Sequence, residues 1–453
     1  MRVGIVTLGC DKNSVDSEYW AGALARSGIE VVAASPQPDG AEFDAVLINT
    51  CGFIDAAKAQ SIQTIVGWLE HKRRRATAGN GARLRVFVGG CLTQRYREQM
   101  VRELPEVDGF LGVGDFERVA DLIRSPGDTA GPVNMIRELP CVEVRADTPR
   151  LPLGPAAPHA FLKIADGCNH NCTFCAIPSF KSRLRSTPRE IVLAEARLLV
   201  SRGVREINIV AQDTSDYGQD LYSSQYGIAD LLADLAAIPG DFWLRLFYFY
   251  PGGITPAFLD AMTASPKIVR YLDMPLQHLD PAMLRRMKRP HREVNTFDAI
   301  ARLRAAIPGI ALRTTFIVGF PGETDAEFAN LLDGAARLRL NRVGVFPYSV
   351  EDGTPSADMR PRVKKTVRTA RMDRLMRQQA RISAELLAGR VGSTIRVLVE
   401  QQTGDGRYIA RSEGDAPEVD GLVHITAPAG LPVGDFAEVR VTGSDTHDLY
   451  AQA

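Results

Sequence analysis

The stretch Asp166-Gly167-Cys168-Asn169-His170-Asn171-Cys172-Thr173-Phe174-Cys175 decides how the rest of the chain is read. Three cysteines stand at Cys-x3-Cys-x2-Cys, directly after the strand-like run Phe161-Leu162-Lys163-Ile164. So short a loop can bring three thiolates to three corners of a cubane 4Fe–4S cluster, where most protein-held clusters take four. Three ligands leave one iron open, and an open iron can bind a substrate. Cys168, Cys172 and Cys175 are therefore candidate ligands of a reactive cluster rather than of a simple electron carrier. Zinc is the alternative, but it asks for four ligands, usually from two Cys-x2-Cys knuckles. His170 lies between two of the cysteines, where the loop is too tight for it to share their metal.

Downstream, a strand–helix rhythm repeats six times between His159 and about Tyr348. The strand candidates are Phe161–Ala165, Glu206–Val210, Phe242–Tyr250, Arg270–Met274, Ala311–Val318 and Arg342–Phe346. Helices are expected at Pro188–Ser201, Ile228–Ala237, Pro256–Ala264, Pro281–Met287, Thr296–Ala306 and Asp325–Leu338. Pro188, Pro256 and Pro281 suit first-turn positions, and Thr187, Thr255 and Asp280 before them suit N-caps. Six such units predict a partial (βα)6 TIM-like barrel with its site at the carboxyl ends of the strands. The cluster loop follows the first strand and so belongs to that mouth. The motifs Ala211-Gln212-Asp213-Thr214-Ser215, Pro275-Leu276-Gln277-His278, Gly319-Phe320-Pro321-Gly322-Glu323 and Pro347-Tyr348-Ser349 follow later strands. Each also has a plain reading as a turn, a helix start or a packed histidine.

Upstream, three apolar runs each end in a cysteine: Met1–Cys10, Ala45–Cys51 and Leu84–Cys91. Helical patterns follow at Ser14–Ser27, Asp55–Arg74 and Gln94–Leu104, so residues 1–135 form a parallel α/β domain. Such sheets present ligands beyond the carboxyl ends of their strands. Cys10, Cys51 and Cys91, spaced 41 and 40 residues apart, would then converge on one edge. This spread excludes a zinc knuckle and suits a second 4Fe–4S cluster held between loops. Three buried, inert cysteines are the alternative. Cys141 lacks a comparable partner and reads as a structural thiol.

The 453 residues accommodate two to three domains, and 45% hydrophobic with 24% charged residues describe an ordinary globular chain. The net charge is zero, so nothing in the overall balance indicates nucleic acid. Seven cysteines, no secretory signal and no apolar run of the roughly 18–20 residues of a membrane span predict a cytoplasmic protein with metal-binding thiols. Residues 136–158, with Pro149, Pro152, Pro155 and Pro158, read as a linker, and 159–360 as the barrel. Residues 361–390 are basic and helical, a solvated or interdomain face, with a nucleic-acid contact as the alternative.

Residues 391–453 read as a small antiparallel β-barrel of oligonucleotide-binding type, with strands at Ser393–Glu400, Arg407–Arg411, Gly421–Ala427 and Phe436–Thr442. Four arginines there stand against ten acidic residues. That surplus predicts repulsion of phosphate and attraction of a basic protein.

The Cys168–Cys175 loop resembles the radical S-adenosylmethionine (SAM) enzymes, and the three domains in this order resemble the methylthiotransferases, whose last domain is a TRAM barrel. Leu8-Gly9-Cys10-Asp11-Lys12-Asn13-Ser14-Val15-Asp16-Ser17-Glu18, Ala211-Gln212-Asp213-Thr214 with Tyr217-Gly218, and Asp273-Met274-Pro275-Leu276-Gln277-His278 are similar to the branch acting on ribosomal protein S twelve. A tRNA-modifying branch is the first alternative, and a non-catalytic iron–sulfur or zinc RNA scaffold the second. The resemblance implies two 4Fe–4S clusters and SAM, with Phe174 against the adenine and Gln212, Gln277, Arg313 and Gly319 as further SAM contacts. The family's Gly-Gly-Glu on the second strand is replaced here by Ala211-Gln212-Asp213, and the first glycine of its fifth-strand pattern by Thr315. The resemblance further implies that Cys168, Cys172 and Cys175 hold the radical-generating cluster. Cys10, Cys51 and Cys91 would hold the sulfur donor. The methylthio group would go to the β-carbon of an aspartate of ribosomal protein S twelve, free or in the small subunit. A flavodoxin- or ferredoxin-type electron donor is implied, with no membrane partner and no tRNA.

Overall fold

The structure, a computed structural model, describes residues 1–453 except 78–82, 126–130, 141–143, 146, 155–156 and 290–294, so Cys141 lies outside the described residues. The amino-terminal sheet is β1 (Arg2–Thr7), β2 (Glu30–Ala33), β3 (Ala45–Thr50), β4 (Arg85–Gly90), β5 (Gly109–Phe110) and β6 (Val133–Asn134). Its order is β2-β1-β3-β4-β5-β6, parallel throughout. The central strands are buried along nearly their whole length because helices cover both faces. Val3, Ile5, Leu47 and Phe87 pack toward Val15, Tyr19 and Trp20 of α1 (Asp11–Arg26). Val6, Ile48 and Val88 pack toward Ile65, Trp68 and Leu69 of α2 (Asp55–Thr77). Each fully buried side chain of this size contributes about 1.5–3 kcal/mol. The helix expected at Gln94–Leu104 is two: α3 (Cys91–Arg95) starts at the cysteine itself, and a second piece, Arg97–Glu103, follows a break at Tyr96.

The barrel strands are β7 (His159–Lys163), β10 (Glu206–Val210), β11 (Trp243–Leu246), β12 (Ile268–Asp273), β13 (Ala311–Val318) and β14 (Arg342–Pro347). They form one parallel sheet in the order β14-β13-β12-β11-β10-β7, open between its two edges. A two-stranded antiparallel ribbon, β8 (Ala165–Asp166) and β9 (Arg185–Ser186), brackets the cluster loop. Leu162, Ile164, Ile207, Ile209, Leu244 and Leu246 pack with the surrounding helices. Thr255 and Asp280 cap their helices, accepting hydrogen bonds from the Phe258 N–H and from the Ala282 and Met283 N–H groups. Thr187 does not. Its own N–H pairs with Ile164 O at 2.8 Å, and the helix starts at Arg189 after Pro188. The strand expected over Phe242–Tyr250 stops at Leu246, because Tyr248 turns into the left-handed region with φ 56°.

The carboxy-terminal barrel comprises β15 (Thr394–Gly404), β16 (Arg407–Ser412), β17 (Val423–Thr426), β18 (Phe436–Ser444) and β19 (Leu449–Gln452). It closes in the order β15-β16-β17-β19-β18. It is not wholly antiparallel, since β19, absent from the sequence reading, pairs parallel to β17. This barrel covers the concave face of the larger one near the amino ends of its strands. Leu398 and Phe436 meet Trp243, Phe247 and Tyr271 there. Glu206, wholly buried, takes the Arg245 Nε at 2.6 Å and lies 2.7 Å from Arg411 of β16.

Part of the acidic surplus of residues 391–453 joins the two barrels. Asp415 pairs with Arg342, Asp420 with Arg313, Asp435 with Arg205, and Glu400 with His159. These four acids fasten the small barrel to the large one, while Asp405, Glu418, Glu438 and Asp445 stay exposed on its surface.

The basic connector, helix Lys365–Ala388, is likewise an interdomain face. Arg371 is buried against Glu323 and reaches Asp325 at 2.7 Å, and Ser383 donates to Thr446 O. The proline-rich linker is pinned, not slack: buried Arg150 joins Glu18 of α1 to Glu195 of the barrel. No helix among the described residues is long and apolar enough to cross a membrane.

Candidate functional site: two facing cysteine triads

Cys168, Cys172 and Cys175 lie in the loop after the first barrel strand. The loop's shape is fixed by backbone bonds from Cys168 N–H to Ser182 O, from Thr173 N–H to Met287 O and from Cys175 N–H to Cys172 O. The His170 N–H points at the Cys168 sulfur at 3.4 Å, and Arg289 reaches the Cys172 sulfur at 3.8 Å. Burial pushes the thiols of Cys168 and Cys175 up to about 12. They stay protonated until a metal displaces the proton.

Cys10, Cys51 and Cys91 follow β1, β3 and β4, as the sequence spacing requires. Cys10 precedes α1 as its N-cap, and Cys91 opens α3. Asn13 ties the loops together. Its side-chain amide donates to Leu8 O at 2.8 Å and Thr50 O at 3.1 Å, and its Oδ1 lies 3.7 Å from the Cys91 sulfur. Gly9, at φ 100°, sits where a Cβ would come within 2.7 Å of Cys51 Cβ, so only glycine permits this approach. Burial raises the thiols of Cys51 and Cys91, with Cys10 adding to both.

The two triads meet at the domain interface, where Cys91 packs against Ala176 and Phe180 just beyond Cys175. A single loop after β11 touches both. Tyr250 stacks on His170 at 3.9 Å and lies under Arg289 at 4.1 Å. Tyr248 donates its hydroxyl to Asp11 at 2.8 Å, next to Cys10. Beneath them lies a buried quartet. Lys163 bonds Asp16 and Asp166, and Lys181 reaches Asp166 at 3.1 Å and Asp16 at 3.6 Å. The two ammonium groups hold the Asp166 carboxyl well below its ordinary range, against its burial. Glu351, after β14, adds a third tie through Lys58 and Arg95 of the amino-terminal domain.

Neither triad has the spacing of a single zinc ion. With Zn–S near 2.3 Å, tetrahedral sulfurs lie about 3.8 Å apart. Among the described residues, the only three potential ligand atoms within 4.8 Å of one another belong to His170, Asp213 and Asp216. His170 Nε2 meets Asp213 at 2.5 Å, which directs the imidazole away from the cysteines.

The residues implied as SAM contacts fall into two groups. Gln212 sits beside the cluster loop. Its amide donates to Asp166 Oδ1 at 2.7 Å, and its buried Oε1 has no partner among the described residues. Phe174 packs with Met283, Met287, Phe320 and Tyr348. Gln277, at φ 69°, bridges to Phe316 across the sheet. Gly319 lies against the connector, where a Cβ would meet Arg368 at 2.0 Å, and its N–H bonds Glu323. His278 and Glu323 pair at 3.1 Å in the same buried network, which is a packing role for both. Arg313 is placed elsewhere. It pairs with Asp273 at 3.0 Å and Asp420 at 3.4 Å, and lines a groove of about 610 Å³ between barrel, connector and small barrel.

Sequence reasoning overlooked Asn13, Tyr248, Tyr250, Arg289 and the Lys163–Asp166–Lys181–Asp16 quartet. A lysine in an otherwise apolar barrel strand and an Asn in the first turn of a helix were the available signals.

Comparison with known proteins agrees with this architecture. Residues 162–335 match the radical SAM superfamily, residues 391–453 match the TRAM domain, and residues 2–112 match a family described as uncharacterized protein family UPF0004. Among solved structures, the radical S-adenosylmethionine methyltransferase TsrM from Kitasatospora setae shares the fold with a TM-score of 0.56 at 16% identity, covering 79% of this chain and 77% of that one. The chain is 43% identical to the ribosomal protein uS12 methylthiotransferase RimO of Desulforudis audaxviator, over 100% of this chain and 96% of that one. It is 41% identical to the protein of the same name in Geobacter sulfurreducens, over 100% and 98%. At such identity along its whole length, the chain belongs to the RimO family of ribosomal protein uS12 methylthiotransferases.

Proposed function

We propose that this protein adds a methylthio group to the β-carbon of an aspartate of ribosomal protein uS12, using one cysteine triad to start the reaction and the other to supply sulfur. The observation that carries the division of labour is the pair of triads on facing loops, spanned by Tyr248 and Tyr250. The relatives named for uS12 favour a protein substrate over tRNA.

The residues present fit two three-thiolate clusters. The sulfurs of each triad are spread too widely for one zinc ion, and no fourth thiol stands in either loop. The unpartnered Oε1 of Gln212 beside the first triad is an acceptor suited to an amino group such as that of SAM. Cys168, Cys172 and Cys175 would hold one 4Fe–4S cluster and Cys10, Cys51 and Cys91 another. When bound, these groups with SAM supply the one-electron chemistry and the sulfur that no side chain can provide.

The chain's own contribution is position and exclusion of water. Asp166 holds Gln212 at the mouth while Lys163 and Lys181 keep that carboxylate ionised. Arg289 brings positive charge to within 3.8 Å of the Cys172 sulfur. The small barrel closes the opposite end of the concave face. A C–H bond beside a carboxylate is hardly acidic, so no general base here could open it. A low-potential donor of flavodoxin or ferredoxin type completes the reading.

The test offers the reconstituted, reduced enzyme uS12 and tRNA in parallel with SAM, followed by mass analysis. Gain of one methylthio group in place of one hydrogen on uS12, with unmodified tRNA, is the expected result. Modification of tRNA with unmodified uS12 would overturn it.

A further inference from the structure

Lys12 is 7% exposed, yet among the described residues no carboxylate stands within ion-pair distance of its ammonium. Its ammonium lies over the ring of Tyr248, 3.3 Å from Nζ to centroid. The neighbouring acid, Asp11, is engaged by the Tyr248 hydroxyl at 2.8 Å. Tyr248 is itself held by its N–H on Asp273 at 3.2 Å and by its left-handed backbone. An ammonium is thus fixed over an aromatic ring on the second residue after Cys10, at the mouth of the large barrel. Buried ammonium groups are ordinarily paired with an anion. The other buried lysines here, Lys163 and Lys181, are paired in that way. The ring contributes a cation–π attraction but no counter-charge.

We infer that Lys12 is the anchor for the carboxylate of the target aspartate, placing that residue's β-carbon between the two triads. The inference rests on the proposed uS12 reading and deepens it, because it assigns the side chain that recognises the charge of the substrate residue. A carboxylate on Lys12 supplies the missing anion, and Tyr248 fixes the direction from which it arrives. The bland alternative is that Lys12 only offsets the charge of the neighbouring thiolates of Cys10 and Cys51.

The test measures equilibrium binding to the holoenzyme, without reductant, of two uS12 proteins that differ only at the target residue, Asp or Asn. Wild-type enzyme should bind the Asp form about ten- to hundred-fold more tightly, the worth of a hydrogen bond to a charged group. Lys12→Met should bind both forms alike at the level of the Asn form, and Lys12→Arg should restore part of the preference. Lys12→Gln serves if Lys12→Met does not fold. A preference that persists in Lys12→Met, or that is absent from the wild type, overturns the inference. So does a loss of iron in Lys12→Met with the preference intact, which would assign Lys12 to the thiolates. If uS12 is not modified at all, the functional reading fails instead, and the modification assay separates that case from this one.

Discussion

Asn13 shows how much of the site depends on a single amide. Its two N–H bonds hold the ends of β1 and β3, and its oxygen faces Cys91. Asn13→Ala leaves two buried carbonyls unpaired, at a cost of about 1–3 kcal/mol for each group left unsatisfied. The expected outcome is a lower melting temperature and reconstitution to about four irons per chain in place of about eight. Unchanged iron content would show that the three loops converge without this tie. The cysteines themselves were legible from spacing alone. Asn13 was not, because its partners Thr50 and Cys91 are remote in sequence, and a polar residue in a first helical turn has an ordinary reading as a local cap.

At the scale of elements, the junction of β10, β11 and β16 is the clearest determinant of the assembly. Glu206 Oε2 and Arg411 Nη2 lie 2.7 Å apart, an ion pair whose angle falls short of a hydrogen bond, while Arg245 bonds the other oxygen. Glu206→Gln leaves buried Arg245 without its anion while Arg411 keeps Glu400 at 2.7 Å, and a loss of about 3 kcal/mol is expected in the unfolding of the barrel pair. The pH dependence has a definite sign. The arginines outweigh burial and hold the Glu206 carboxyl down to about 2, against 4.5 ordinarily. A carboxyl depressed in the folded state contributes stability above its unfolded value and loses it as pH falls toward the folded value. The wild type should therefore lose about 3 kcal/mol from this site between pH 4.5 and about 2. Glu206→Gln should lack that part of the acid limb in a thermal-melt series. Equal acid limbs in the two proteins would contradict the assignment.

The same junction explains where the sequence misled. The regular βα alternation made both parallel sheets readable, because long apolar strands announce themselves. β5 and β6, of two residues each, and β19, of four, are too short to carry a period. β11 ends early because Tyr248 turns out of the sheet to reach the other domain. Counting charge in residues 391–453 found the acidic surplus but not the partners of Asp415, Asp420 and Asp435, since Arg342, Arg313 and Arg205 lie in another domain.

For the whole molecule, sequence spacing implied two triads and resemblance implied their roles. The contacts that bring them face to face come from the fold. Cys91 meets Ala176 because α1 packs on β7 through the Asp16–Lys163 pair, and the linker is fastened by Arg150. The site is thus a property of the docked domains rather than of either alone, and the TRAM barrel contributes by closing the concave face.

The central claim, that one triad starts the reaction and the other supplies sulfur, is tested most directly by replacing Cys10, Cys51 and Cys91 together with Ala. The measurement is the ratio of methylthio-uS12 to 5′-deoxyadenosine formed from SAM under reducing conditions. The account predicts that 5′-deoxyadenosine still accumulates while methylthio-uS12 falls to zero. Methylthio-uS12 formed by this variant in proportion to 5′-deoxyadenosine, as in the wild type, would contradict it.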